Sequence, residues 1–183
     1  MSAIEKVYLG SEIEKFKKFN LGFSDDDFAA LKRLTQPLII PVAKQRFRTV
    51  QEYHYYYERD GWPFQLIVPV GFEFDGATVN RWLWSISNIT PSGLINAAAL
   101  LHDFIYHYEG KLPVGSHLSF NGLKQPSLAD PENWTPCVGR PWRRADADRL
   151  FRKVMQQSGF GETDRDRAYW AVRLFGWIYW REF

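Results

Sequence analysis

The stretch AALLHDFIYHYEG, residues 98–110, limits the possible folds of this chain more than any other. It is apolar enough to be a core helix, yet His102 and Asp103 stand side by side in its middle. Neighbours on a helix lie about 100° apart, so the two cannot both face solvent while Ala98, Leu101 and Ile105 face a core. An interior that excludes water tolerates ionisable groups only when they are paired, bound to something, or working. Tyr106 follows one turn after His102 and three residues after Asp103, within reach of either. A neutral histidine among apolar groups is a candidate general base, and it needs a partner on its second nitrogen to set tautomer and orientation. Asp75, Asp146, Asp148 and Asp164 are the candidate partners. Asp146 and Asp148 flank the apolar arc Ala147, Leu150, Phe151, Val154 of a helix at 143–158, one on each side, and periodicity leaves both open.

Around that helix the pattern changes along the chain. Residues 1–36 read as a helical arm, with Ser24 as N-cap of SDDDFAALKRL and three aspartates in its first turn. Residues 37–90 are rich in Val, Ile, Phe and Tyr and read as two or three antiparallel strands turning at Asp60-Gly61. Within them Gln51, Tyr53, Tyr55 and Tyr57 alternate with Val50, Glu52, His54 and Tyr56. Neither face is cleanly polar, so the sheet is expected to be covered on both sides or to serve as a binding surface. The His102 helix is expected to run from a cap at Ser92 to a stop at Gly110. Residues 111–141 hold Pro113, Pro126, Pro131, Pro136 and Pro141 without a period, which reads as a long loop or lid. A helix ending at Gly159 follows, and then a last helix capped by Thr163, whose aromatic face reads as core or partner interface. The expectation is a single α+β domain over 1–183: a small antiparallel β-sheet or hairpin region in the N-terminal half, then three core helices over 91–183.

Composition narrows the function classes. A formal charge of +2 and a pI near 8.6 give no case for nucleic acid. No run of about 18 apolar residues is present, so no spanning helix is expected. The opening MSAIEKVYLGSEIEKFKKF has neither an apolar signal core nor a small-residue cleavage site, which reads as a protein of a bacterial cytoplasm or a phage particle. One cysteine, Cys137, excludes an internal disulfide and the usual cysteine-based zinc sites. His54, His107 and His117 read as solvated or stacked. Arg140, Arg143, Arg144, Arg149, Arg152 and Lys153 read as a solvated helix face.

Four segments in order, VPVGFEFDGATVNRWLW, AAALLHDFIY, RRADADRLFRKVM and AYWAVRLFGW, resemble the phage- and prophage-associated family known as domain of unknown function 1353. That family's pattern is VPxGFxTDGASxPR, HDxxY, RxxADxxFxxxM and a helix with VRxFG, and the resemblance covers roughly residues 37–177. Phe74 stands where the family often has threonine, and Asn80 replaces the proline before Arg81; Asp75 and Arg81 are kept. Matching the third motif selects Asp148 over Asp146, with Arg144 one turn earlier. More distantly, HDxxY on one helix and an aspartate on another is similar to the core of phospholipase A2. The resemblance implies that His102 activates water, Asp103 holds a divalent cation, and Tyr106 and Asp148 buttress the histidine. The disulfides and the glycine-rich calcium loop of the secreted enzymes are absent from this sequence.

The expected function is therefore a hydrolase. His102 is the general base, Asp148 orients it with Tyr106, and Asp103, with Asp75, binds calcium or zinc or is structural. Asp75 and Arg81, just before the His102 helix, are further site candidates, as is Arg144; the bland reading of the first two is a turn with an ion pair. The alternative function is a non-enzymatic phage accessory or virion protein, pairing with other phage proteins or with itself, in which the His-Asp-Tyr cluster is structural. A third possibility, a phosphohydrolase of the HD type, uses His54, His102, Asp103 and Asp148, but requires a helix where VQEYHYYYERDG reads as strand.

Overall fold

A computed structural model of the chain describes residues 34–43, 46–59, 62–74, 95–120, 131–139 and 141–180. Ser24 and nearly all of the N-terminal arm, the Asp60-Gly61 turn, Asp75, Arg81 and Ser92 lie outside these residues. In chain order the elements are strands β1 (Ile39–Ala43), β2 (Arg46–Thr49), β3 (Tyr53–Arg59), β4 (Trp62–Val68) and β5 (Glu73–Phe74), then helix α1 (Asn96–His107). Strands β6 (His117–Phe120) and β7 (Trp134–Pro136) come next, the latter after a 3-10 turn, followed by helices α2 (Arg144–Gln157) and α3 (Glu162–Phe175). The fold class is α+β, with antiparallel sheets in the N-terminal half and three helices after them. The described residues divide into two compact units interleaved along the chain.

One unit, His54–Ile67 with Pro113–Gly139, carries a four-stranded sheet of order β3-β4-β6-β7. β6 pairs antiparallel with β4, Gln65 opposite Leu118, and β7 pairs with β6, Phe120 opposite Trp134. The stretch 111–141 is thus not one irregular loop. Strands of four and three residues are too short to display a period, and Pro136 sits on the edge strand, where a missing N–H breaks no ladder. In β3 the faces differ more than the residue types suggest: Tyr53, Tyr55 and Tyr57 are buried, while His54 is exposed. Tyr57 stacks on Phe64, and Tyr56 and Phe120 both meet Trp134.

The other unit comprises the described residues of Thr35–Tyr53, Val68–Leu112 and Arg140–Phe183. Its sheet, β1-β2-β5, is tied at the surface by Arg48 to Glu73. The Thr49 hydroxyl donates to the Pro69 carbonyl at 2.8 Å and accepts the Phe72 N–H at 3.0 Å. That brace closes the turn of the first motif, where Gly71 takes a φ of 83° that a side chain would strain. It also sets Phe72 edge-on against Phe104 of α1, ring centroids 5.1 Å apart.

α1 packs on α2, and α2 on α3. Nine of the twelve residues of α1 are buried, as an all-round apolar helix requires. It stops where the sequence suggests: the Gly110 N–H bonds the Ile105 carbonyl at 2.9 Å, and the Trp142 N–H bonds the Gly110 carbonyl at 2.9 Å. Any Cβ on Gly110 would collide with the Trp142 carbonyl. In α2 the predicted arc Ala147, Leu150, Phe151, Val154 is buried throughout. α3 begins before the expected cap: Gly161 is the N-cap, and Thr163 lies inside the first turn. Glu162 and Asp164 there favour the positive end of the helix dipole. Its aromatic face is not core. The inward residues are small or slim, Ala168, Val172 and Gly176, while Trp170, Trp177 and Tyr179 are exposed. Among the described residues no helix is long and apolar enough to cross a membrane.

Candidate functional site

The spacing of α1 puts His102 and Tyr106 on one side, facing α2, and the Asp148 carboxylate of α2 meets both. Asp148 Oδ1 lies 3.0 Å from His102 Nε2 and accepts the Tyr106 hydroxyl at 2.6 Å. Its Oδ2 accepts Arg173 Nη1 at 2.9 Å, with Arg144 Nη1 at 3.8 Å. Arg144 also donates to the Arg173 carbonyl at 3.0 Å, tying α2 to the last turn of α3. Asp148 is 0% exposed and His102 2%. Removing a carboxylate from water costs several kcal/mol, and this one is offset by a hydroxyl, an imidazole N–H and two guanidinium groups.

A carboxylate can only accept, so Nε2 of His102 carries a proton and Nδ1 is the nitrogen left for other use. Nδ1 is buried, lies 3.7 Å from Asp103 Oδ1, and has no hydrogen-bond partner among the described residues. The ring is held between Tyr106, centroids 4.0 Å apart, and Phe151, 5.2 Å apart. Burial by itself pushes the imidazole pKa down; the Asp103 carboxylate facing Nδ1 at 3.7 Å and the Asp148 carboxylate bonded to Nε2 oppose this, and the net direction is up. Asp148 moves the other way: burial raises it, but His102, Tyr106 and Arg173 together hold it below the usual carboxylate range. Burial first, then Asp148, keeps the Tyr106 phenol protonated far above neutrality.

Of the predicted residues, the structure brings together His102, Asp103, Tyr106, Asp148 and Arg144. Asp146 is instead ion-paired with Arg149 along α2. The reading of Arg144 as part of a solvated face is corrected, because its guanidinium is spent on Asp148 and on α3 carbonyls. Arg152 stays at the surface, where it bonds Asp166 at 2.7 Å and lies over Tyr169. His117 is stacked, as expected, and shares a 2.7 Å hydrogen bond with Tyr57. His54, on a strand, bonds Gln65 at 2.7 Å. Among the described residues no three His, Cys, Asp or Glu side chains are placed to hold a metal ion.

Sequence reasoning missed two residues, and both belong to the fourth motif. Arg173 supplies the strongest bond to Asp148 Oδ2. Gly176 leaves room for Tyr106, since a Cβ there would stand 2.5 Å from the phenolic oxygen. VRxFG thus serves the carboxylate twice, which was the available signal.

No curated protein and no solved structure matches the chain. Residues 47–172, well over half of it, match a family described as Protein of unknown function (DUF1353), and they contain every residue of the Asp148 network except Arg173. The chain belongs to that family.

Proposed function

We propose that this protein is a hydrolase in which His102 acts as general base through Nδ1. In its neutral form Nδ1 bears a lone pair and takes a proton from water as the water oxygen attacks the carbonyl carbon of an ester or amide, or the phosphorus of a phosphoester. The C–O, C–N or P–O bond to the leaving group then breaks, and the imidazolium returns the proton to that group. Asp148 holds Nε2–H and stabilises the imidazolium that forms; Tyr106 and Arg173 hold Asp148. Asp103 either steadies the imidazolium or joins Asp75 in binding calcium or zinc, and no step above depends on a bound ion. The observation that carries this reading is the division of labour on one ring: Nε2 locked to a buried carboxylate, Nδ1 without a hydrogen-bond partner among the described residues. A buried polar atom left unpaired costs about 1–3 kcal/mol, which calls for a use or a missing partner.

The burial of His102 and Asp148 favours a second reading, in which the cluster only joins helices and the protein is a phage accessory or virion component. Diethyl pyrocarbonate, which acylates accessible neutral imidazole nitrogens, separates the two. The hydrolase reading expects modification of His102 in the folded protein, with hydrolysis of model esters, amides or phosphodiesters falling roughly 10²–10⁴-fold in His102→Gln. Its pH–rate profile should show an acid limb above the ordinary histidine range, because the base works only once deprotonated. A native protein that shields His102 from the reagent and hydrolyses none of these substrates leaves the structural reading in place.

A further inference from the structure

We propose that Trp180 is a positioning residue of the His102 site: with Gly176 it holds the Tyr106 phenol on Asp148, and through that phenol it sets the imidazole. Trp180 bears on catalysis only if His102 is the general base proposed above, whereas its hold on Tyr106 stands apart from that reading. The 3-10 turn after α3, Gly176–Ile178, leads into this residue. Trp177, Ile178 and Tyr179 are all more than half exposed, while Trp180 is 7% exposed. One ring is therefore turned inward, and its place there is specific. The Trp180 N–H donates to the Gly176 carbonyl at 3.0 Å, which closes the turn. The indole meets Tyr106 edge to face, with centroids 5.0 Å and planes 81° apart. Its far end abuts Gly110, where α1 stops; a Cβ on that glycine would stand 3.1 Å from Cη2 of Trp180.

The consequence follows from the torsions of a tyrosine. Rotation about χ2 is broad for an aromatic ring, so packing has to choose the plane of the phenol. Gly176 leaves space for the phenolic oxygen, from which a Cβ would stand 2.5 Å, and Trp180 packs against the ring itself. So held, the hydroxyl donates to Asp148 Oδ1 at 2.6 Å, and the ring lies 4.0 Å from the His102 imidazole, centroid to centroid. The same Oδ1 is 3.0 Å from His102 Nε2. A tilt of Tyr106 thus disturbs both supports of the imidazole: the ring beside it and the oxygen that receives its N–H. A general base works only while its lone pair points at the water, and a displacement of about 1 Å can cost about 10²-fold in rate. Trp180 acts through Tyr106, so its effect falls on turnover and not on substrate binding.

The Tyr106 hydroxyl proton, buried and bonded to a carboxylate, should give a slowly exchanging downfield resonance in the full chain, assigned by its absence in Tyr106→Phe. Trp180→Ala should lose that resonance with an unchanged circular dichroism spectrum, and Trp180→Phe, which keeps a ring, should restore it. Trp180→Leu, which fills more of the space without a ring, replaces the alanine variant should that one not fold. Gly176→Ala displaces the phenol without touching the tryptophan and should give the same loss. On whichever model ester, amide or phosphodiester the wild type hydrolyses, Trp180→Ala should lower kcat roughly 10–100-fold with KM nearly unchanged. Trp170→Ala, which removes an exposed ring from α3, should alter neither the resonance nor kcat. The proposal is overturned by a wild type without the resonance, by an alanine or leucine variant that keeps it, or by a phenylalanine variant that does not regain it. An active enzyme whose kcat is indifferent to Trp180 overturns it too. A wild type that hydrolyses nothing, yet shows the resonance responding as stated, removes the general base and leaves the hold of Trp180 on Tyr106 standing.

Discussion

The two units each bury a histidine, and the two histidines behave in opposite ways. His117, on the four-stranded sheet, is 8% exposed and shares its Nε2 with the Tyr57 hydroxyl. Burial, with Arg59 adding a smaller effect, lowers its pKa to about 4, so the ring is neutral at physiological pH. His102 is buried more deeply, yet its pKa is raised, because its neighbours are the carboxylates of Asp103 and Asp148. Desolvation acts on both rings in the same direction. The charge of the hydrogen-bonding partner decides which effect wins. A buried histidine is therefore no sign of chemistry by itself; a buried histidine that keeps its affinity for protons is a stronger one.

The most direct way to break this contrast is Asp148→Asn. It leaves Arg173, Arg144 and an imidazole around a neutral amide, and the loss of stability should be about 3–5 kcal/mol in a denaturant titration. Should the protein survive folding, the His102 pKa should drop towards the behaviour of His117. A smaller effect sharpens the comparison: Tyr106→Phe removes a bond to a charged acceptor and should cost about 1.5–3 kcal/mol, whereas Tyr57→Phe removes a neutral one and should cost about 0.5–1.5 kcal/mol. Equal losses would mean that Asp148 gains little from its phenol.

The third test needs no variant. Between about 6.5 and 4 the unfolded chain binds a proton that folded His117 refuses, so this residue favours the fold fully above that window and progressively less as pH falls through it. His102 has the reverse sign: its contribution is full below the ordinary histidine pKa and is lost as pH rises through the raised folded value. Asp148 adds a loss on the acid side, as pH falls through its lowered value. Imidazole C–H signals from the four histidines should show the two titrations on opposite sides of 6.5. His102 titrating at or below 6.5 would remove the distinction.

How much of this could be read from the sequence depended on whether the cause was local. The α1 site residues were legible because an apolar helix makes its ionisable members conspicuous and fixes their spacing, so His102, Asp103 and Tyr106 emerged together. Asp148 was one of several open carboxylates until motif order selected it, because facing helices are brought together by packing that no window of residues encodes. Arg173 escaped because an arginine beside Leu174 and Phe175 looks like a surface residue of an aromatic helix. In fact α3 is turned the other way, small residues inward and rings outward. Strand β6 escaped because its hydrogen bonds come from β4, about fifty residues away in sequence, and β7 because, among the described residues, it is bonded only to β6, neither showing a pattern of its own.

Alanine and leucine surfaces hold helices together without specifying how far one slides or rotates against the next. Asp148 removes that freedom. Hydrogen bonds are directional, and two oxygens that must receive His102 and Tyr106 from α1, Arg173 from α3 and the parent bond from α2 admit essentially one azimuth for each helix. An apolar replacement set of the same volume would keep the bundle assembled without these directional constraints. The carboxylate thus acts like the pin of a three-part hinge fixed at one angle, supplying alignment where grease supplies only adhesion.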